Sequence, residues 1–200
     1  MNALSALTLA TSVFLLSGMT APMPEQPVSG QPTKARTFAV DTVHSSVMFK
    51  VKHLNTSWFY GRFNTIKGAI AVGGDDSSVN LIIDAKSADS ANDRRDRHLH
   101  GPDFFNVKQF PEIKFESTSV RVSKSGHLDV KGKLTLRGKT KEIQAIANKV
   151  GEGKARGGAA IVGYHTVFTI KRSDFGMTYG KGALSDDVEV TISVECKEQK

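Results

Sequence analysis

Hydrophobic and polar residues alternate along most of the chain after residue 37. Alternation with a period of two is typical of β-strands that bury one face. The clearest runs begin at Val47, Val79, Leu128 and Val188, and turn signals rich in glycine separate them. This spacing predicts about eight antiparallel strands and an all-β fold.

Two short segments break the alternation and favour a helix. The first extends from Asn92 to Phe105, and a weaker signal covers 56–60. The chain also contains 11 Phe against 1 Trp and 3 Tyr, which favours dry aromatic surface over hydrogen-bonding aromatic surface. Long strands with one apolar face and a Phe-rich interior predict an antiparallel β-barrel with one short helical excursion.

The amino-terminal region differs from the rest of the chain. Leu4 to Gly18 is nearly all apolar or small, and the first charged side chain is Glu25. As a helix this run would reach only ~22 Å, short of the ~30 Å hydrocarbon core of a bilayer, so it is typical of a secretory signal. The best cleavage position, after Ala21, is followed by Pro22, and proline is unfavourable there. An uncleaved membrane anchor is therefore an alternative.

These observations divide the chain into three parts. We predict a signal peptide at 1–21, a proline-rich flexible linker at 22–36 and one folded domain at 37–198. A signal peptide implies a periplasmic or secreted protein. The single Cys196 excludes an intramolecular disulfide and a cysteine-based metal site.

The charge balance narrows the class of partner. Lys and Arg number 27 and Asp and Glu 20, for a net charge of +7. The basic residues are scattered along polar strand faces, which indicates a solvated outer surface, and no nucleic-acid-binding motif occurs. An anionic membrane surface is the polyanion that an exported protein would meet.

The segment from Ser90 to Val120 carries the most specific signal. It contains Arg95-Asp96-Arg97-His98-Leu99, then Asp103-Phe104-Phe105, then Pro111-Glu112-Ile113-Lys114-Phe115-Glu116-Ser117-Thr118. These motifs resemble the YceI family, secreted lipid- and polyisoprenoid-binding proteins with a lipocalin-like barrel. Further matching pieces lie, in family order, at 41–53, 61–63, 132–141, 170–176 and 186–192.

The resemblance implies a lipocalin-like barrel whose hydrophobic cavity holds a long-chain isoprenoid lipid or a prenylated quinone. Burial of methylene groups contributes ~0.8 kcal/mol each, so one isoprene unit contributes ~3 kcal/mol or more. The candidate lining residues are Phe49, Val51, Trp58, Phe59, Phe63, Phe105, Phe115 and Phe168.

Three polar residues are candidates for the lipid head group. His53 ends an apolar strand face, and the alternative is a core histidine bonded to the backbone. Arg172 ends another apolar face near Asp174, and a guanidinium suits a phosphate or carbonyl. The alternative is a structural Arg172, bonded to Asp174 or to a loop carbonyl.

Other polar groups receive structural interpretations. Arg95 and Asp96 are expected to form a local salt bridge that tethers the helical excursion to the barrel. His98 and His100 are two residues apart, which does not place them on one face of a helix, so we predict no metal site.

The sequence shows no nucleophile–base constellation. We therefore predict a binding protein rather than an enzyme, without a cofactor, that serves lipid transport, storage or stress response. Two alternatives stay open: an accessory enzyme or redox partner acting on an isoprenoid quinone, and a ligand-free interaction module. Oligomeric state is equally open, a homodimer included.

Overall fold

The computed structural model describes residues 34–199, which form eleven β-strands and one α-helix. The predicted signal peptide and most of the predicted linker lie outside these residues. The strands are β1 Arg36–Val40, β2 Ser46–His53, β3 Ser57–Phe63, β4 Ile66–Val72, β5 Ser78–Asp84, β6 Ala88–Asp89, β7 Glu112–Val122, β8 Leu128–Leu136, β9 Lys139–Lys154, β10 Ala160–Lys171 and β11 Leu184–Glu198, and the helix is α1 Asp93–Leu99. Between residues 34 and 199 no helix is long and apolar enough to cross a bilayer.

Eight strands close into an antiparallel barrel in the order β1-β4-β5-β7-β8-β9-β10-β11, with β11 pairing back to β1. The predicted all-β barrel is confirmed. The long strand β11 has two partners along one edge: residues near Cys196 pair with β1, and residues 184–193 pair with β2. The hairpin of β2 and β3 therefore extends the wall at one end, and the short β6 pairs with the outer edge of β3.

The inward face of each strand is apolar, as the alternation requires. In β2, Val47, Phe49 and Val51 are buried, whereas the intervening Met48 is 42% exposed. Gly61 lies directly opposite Phe49 on β3, and a Cβ at Gly61 would lie 2.2 Å from the Phe49 ring. The glycine is therefore what lets this aromatic ring lie flat against the neighbouring strand.

One part of the wall lacks ladder hydrogen bonds. Strands β9 and β10 pair from Lys154↔Ala160 to Asn148↔His165, with a bulge at Gly163. In the described ladders, residues 139–147 of β9 then pair with β8 alone, and residues 166–171 of β10 pair with β11 alone. The unladdered part lies toward the end of the barrel that carries the β2–β3 hairpin.

The helical excursion is shorter than the predicted segment from Asn92 to Phe105. Asn92 caps α1 by accepting a hydrogen bond from the Arg95 backbone N–H, and the helix ends at Leu99. Gly101-Pro102 follows, and proline disfavours helix in the residue before it. The weaker helical prediction at 56–60 was wrong: these residues belong mostly to β3, where aromatic side chains suit a strand.

Candidate ligand-binding cavity

The barrel encloses a cavity of about 910 Å³. Its wall is apolar for most of its depth and is contributed by β2–β5, by α1 with the segment after it, and by β7–β11. Two hydroxyls interrupt it. Thr166 Oγ1 is buried and has no hydrogen-bond partner among residues 34–199, and burial raises the pKa of the Tyr164 phenol above its ordinary range. The main apolar wall residues are Val47, Phe49, Val51, Phe59, Phe63, Ile70, Val79, Leu81, Ile83, Leu99, Phe104, Phe105, Ile113, Phe115, Val130, Leu134, Leu136, Ile143, Ala145, Ala147, Phe168, Ile170, Val188, Val190, Ile192 and Val194.

Four phenylalanine rings form the densest part of the wall. The Phe49 ring lies 6.5 Å from Phe59, 5.6 Å from Phe63 and 6.1 Å from Phe105 between centroids. Phe63 and Phe105 are 5.1 Å apart in an edge-to-face arrangement, a favoured geometry for aromatic pairs. The contact joins the β2–β3 hairpin to the segment that follows α1.

Seven of the predicted lining residues lie on the cavity wall with their side chains inward: Phe49, Val51, Phe59, Phe63, Phe105, Phe115 and Phe168. Small neighbours make room for some of these rings. A Cβ at Gly132 would lie 2.5 Å from the Phe115 ring. Contact of these seven residues with a ligand stays a prediction.

Trp58 borders the cavity at its rim, although its ring lies mostly on the outer face, and its contact with a ligand stays a prediction. The residue is 52% exposed, and the Lys50 and Lys52 Nζ atoms lie 4.8 Å and 5.8 Å from its ring centroid. The physical reason is strand parity. Phe59 faces inward, so its neighbours Trp58 and Tyr60 must face outward.

An aromatic cluster stands at the cavity mouth. The His98 ring lies edge-to-face 4.9 Å from Phe104 and 4.8 Å from Tyr179. His98 Nε2 is also 2.9 Å from a carboxylate oxygen of Asp103. Tyr179 belongs to the loop before β11, and sequence reasoning missed it because no periodic signal marks that loop.

Arg172 stabilises that loop through hydrogen bonds and does not project freely into the cavity. The residue is 5% exposed. Its Nε donates to the Ser185 carbonyl at 2.9 Å, and one terminal nitrogen donates to the carbonyls of Met177 and Tyr179 at 2.8 Å and 2.7 Å. The other terminal nitrogen lies 3.3 Å from the Leu184 carbonyl. The guanidinium borders the cavity, yet four of its five N–H donors contact main-chain carbonyls.

The three predicted head-group residues therefore lie in different surroundings. Asp174 is exposed in the 3₁₀ turn after β10, and within residues 34–199 it forms no ion pair with Arg172. The geometry corrects the head-group interpretation of Arg172 toward the structural alternative, bonding to loop carbonyls. His53 is exposed at the end of β2 beside the mouth, so it is not a core histidine, and its head-group role stays a prediction.

The expected salt bridge between Arg95 and Asp96 is replaced by a shared partner, Ser90. Asp96 accepts hydrogen bonds from the Ser90 backbone N–H and hydroxyl, while Arg95 donates to the Ser90 hydroxyl and carbonyl at 2.8 Å and 2.7 Å. The Arg95 guanidinium also lies 4.4 Å from the Phe59 ring centroid. Ser90 is 7% exposed and thus joins both charges to the barrel, which the sequence analysis did not assign.

His98 and His100 join no three-member group of metal-ligating atoms among the described residues. The one such group there is Asp41, His44 and Glu195, whose atoms lie within 4.8 Å of one another. The Asp41 carboxylate already has partners within the protein. It accepts hydrogen bonds from the backbone N–H groups of Val43 and His44, and its Oδ2 lies 3.1 Å from His44 Nδ1. This cluster fixes the corner between β1 and β2.

Comparison with known proteins shows what the chain is similar to. A family model described as a YceI-like domain matches residues 38–196. A UPF0312 protein of Ectopseudomonas mendocina is 34% identical over 199 residues, which covers 97% of this chain and 96% of the relative.

Two solved structures share the fold. The Campylobacter jejuni YCEI protein is 29% identical with a TM-score of 0.66, covering 74% of this chain and 90% of that one. A polyisoprenoid binding domain from Saccharophagus degradans is 18% identical with a TM-score of 0.65, covering 83% and 100%. The motifs, the barrel and the extent of the match agree, and the chain belongs to the YceI-like family.

Proposed function

We propose that this protein binds a long isoprenoid lipid, a polyprenyl lipid or a prenylated quinone, in its barrel cavity and carries or stores it in the periplasm or outside the cell. The observation that supports this most directly is the apolar cavity of about 910 Å³. This volume lies at the upper end of the roughly 300–1,000 Å³ typical of ligand pockets.

Burial of hydrocarbon supplies the affinity. Each methylene contributes ~0.8 kcal/mol and each isoprene unit ~3 kcal/mol or more. Four to five buried units contribute roughly 12–15 kcal/mol, which offsets an association cost of about 4–7 kcal/mol and leaves about micromolar affinity. Polar contacts are then needed only to hold the head group at the mouth.

The arrangement of charges favours a neutral chain over a fatty acid. The guanidinium of Arg172, at the edge of the cavity, donates to main-chain carbonyls, and that of Arg95 donates to Ser90 at the mouth. Within residues 34–199, four of the five Arg172 N–H donors are engaged, and the free donors of Arg95 lie at the mouth, so neither arginine offers a free guanidinium deep in the cavity for a buried carboxylate. A ligand with an uncharged body and its polar group at the mouth matches this wall best.

The relatives point to the same ligand class. The Saccharophagus degradans domain with this fold is described as polyisoprenoid binding. The mouth also favours binding over catalysis, because the polar groups there already contact one another: His98 bonds Asp103, and Arg95 bonds Ser90. We place the site of action outside the cytoplasm because of the signal-like segment at 1–21.

The test is a comparison of two neighbouring substitutions on β2. Phe49→Asp puts an unpaired charge on the cavity wall, whereas Met48→Asp puts the same charge on the outer face. Protein stripped of lipid by unfolding and refolding is titrated with a long-chain polyprenol, and native mass spectrometry counts the bound molecules. We expect one polyprenol on the wild type and on Met48→Asp, and none on Phe49→Asp.

A second variant covers the case in which Phe49→Asp fails to fold. Ala145→Phe fills the cavity from β9 with an apolar group and should lower polyprenol affinity at least tenfold while circular dichroism stays unchanged. Stearic acid is the competing ligand, and we expect it to bind more weakly than the polyprenol. A folded wild type that binds no polyprenol would refute the proposal and favour a ligand-free interaction module.

A further inference from the structure

Two large aromatic residues lie exposed on the outer face of β3. Trp58 is 52% exposed and Tyr60 is 53% exposed. They are two positions apart in a strand, so both rings project from the same face of the sheet. Exposed aromatic residues that lie side by side mark an interaction surface more often than scattered apolar residues do.

Two lysines on the adjacent strand complete this surface. Lys52 pairs across the ladder with Trp58, and Lys50 pairs with Tyr60. Both ammonium groups lie over the Trp58 ring, at 4.8 Å for Lys50 and 5.8 Å for Lys52. Lys50 also forms an ion pair with Glu189 at 2.8 Å, whereas Lys52 forms none with a residue between 34 and 199.

The turn that joins these strands exposes a further apolar side chain. Leu54 is 56% exposed and has a φ of 47°, next to Asn55 at 56°. A left-handed conformation is costly for leucine, and such strain is concentrated at functional sites. Its side chain extends the exposed surface to the tip of the hairpin.

The inner side of the same hairpin forms the cavity mouth. His53 and Ser57, which flank the turn, border the cavity, and Phe59 lies on its wall between Trp58 and Tyr60. Whatever the outer surface contacts is therefore brought next to the opening through which a ligand enters.

We propose that Leu54, Trp58 and Tyr60, with Lys50 and Lys52, dock the protein on an anionic phospholipid bilayer with the cavity mouth beside it. This rests on the proposed function, because a carrier of a water-insoluble lipid must meet the membrane that supplies it. Tryptophan and tyrosine favour the membrane–water interface, and lysines attract anionic head groups. A protein partner fits less well, because lysine is depleted from protein interfaces.

The experiment uses the natural fluorescence of the surface. Trp58 is the sole tryptophan of the chain, so its emission reports on this position alone. The protein is mixed with vesicles of phosphatidylcholine, or of phosphatidylcholine with phosphatidylglycerol, that contain no isoprenoid. We expect a blue shift and co-sedimentation with the anionic vesicles only, both reversed by high salt.

Matched charge reversals locate the docking surface. Lys52→Glu should lower the partition onto anionic vesicles at least tenfold. Lys131→Glu makes the same change on the exposed face of β8 and should leave the partition within twofold of the wild type. Equal losses in the two variants would show a response to net charge alone and would overturn the proposal.

Polyprenol binding is measured separately, with ligand delivered from detergent. Lys52→Glu should retain the wild-type affinity in that assay. If polyprenol binds but no vesicle does, docking is refuted and the proposed function stands; if vesicles bind but polyprenol does not, the proposed function fails by itself. A dimer in solution that Lys52→Glu dissociates would identify the surface as a contact between two copies and would also overturn the docking proposal.

Discussion

Arg172→Met tests the structural role of the buried arginine. Methionine keeps most of the aliphatic stem but removes every donor. The loop carbonyls of Met177 and Tyr179 and the β11 carbonyl of Ser185 then lose hydrogen bonds of 2.7–2.9 Å. The longer bond of 3.3 Å to Leu184 is lost as well. Both the loop and the edge of the cavity mouth are affected.

The magnitude follows from these bonds. A hydrogen bond to a charged group contributes about 1.5–3 kcal/mol, so three short bonds give roughly 4.5–9 kcal/mol. About half of this is recovered because the freed carbonyls turn to water when the loop relaxes. We expect the free energy of unfolding to fall by about 2–4.5 kcal/mol, and Tm to fall by roughly 4–18 °C in a domain of this size.

Urea and thermal unfolding of Arg172→Met measure this loss. Asp174→Ala, two residues away and exposed, is the matched control and should stay within about 0.5 kcal/mol of the wild type. Affinities for a polyprenyl phosphate and for the bare polyprenol should weaken together, because the loop that carries Tyr179 is loosened. Unchanged Tm with selective loss of the phosphate ligand would refute this reasoning and restore the head-group role.

Three further predictions concern single side chains. Gly61→Ala should cost about 1–3 kcal/mol in urea unfolding because its Cβ meets the Phe49 ring, and a Phe49→Leu background should relieve most of that cost; an equal cost in both backgrounds would contradict it. The hydrogen bond and charge of Asp41 raise the pKa of His44 above its ordinary value, so the pair's stabilisation is present below the ordinary pKa and is lost as pH rises through the raised one; an NMR titration of His44 that Asp41→Asn leaves unmoved would refute the pairing. Burial raises the pKa of Cys196 to about 12, so a thiol reagent at mildly alkaline pH should label it only in denaturant, and rapid labelling of the native protein would count against a closed core.

The fold could be predicted from sequence because period-two alternation states directly which face of each strand is buried. The same rule decides the inward side of β3, where Phe59 and Trp58 are neighbours and only one can enter the cavity. The prediction that both residues line the cavity relied on their aromatic character, although strand parity is the stronger constraint on where each ring points.

The role of Arg172 was harder to predict because it depends on tertiary contacts. Two of its carbonyl partners, Met177 and Tyr179, lie in a loop without periodicity, so no local pattern distinguishes an arginine that stabilises a loop from one that binds a ligand. Ser90 presents the same difficulty. Its two charged partners are visible in sequence, but their convergence on one hydroxyl depends on how the chain enters α1.

The missing ladder pairs between β9 and β10 bear on how the barrel could accommodate a ligand. In a fully laddered barrel, strand number and stagger fix the diameter, and widening it breaks hydrogen bonds. Here residues 139–147 and 166–171 face each other without ladder pairs, and the facing wall of β9 carries the small side chains Ala145 and Ala147. We therefore expect the circumference to grow by bending of these two strands, so that a ligand of larger girth would deform the wall elastically without breaking backbone pairs.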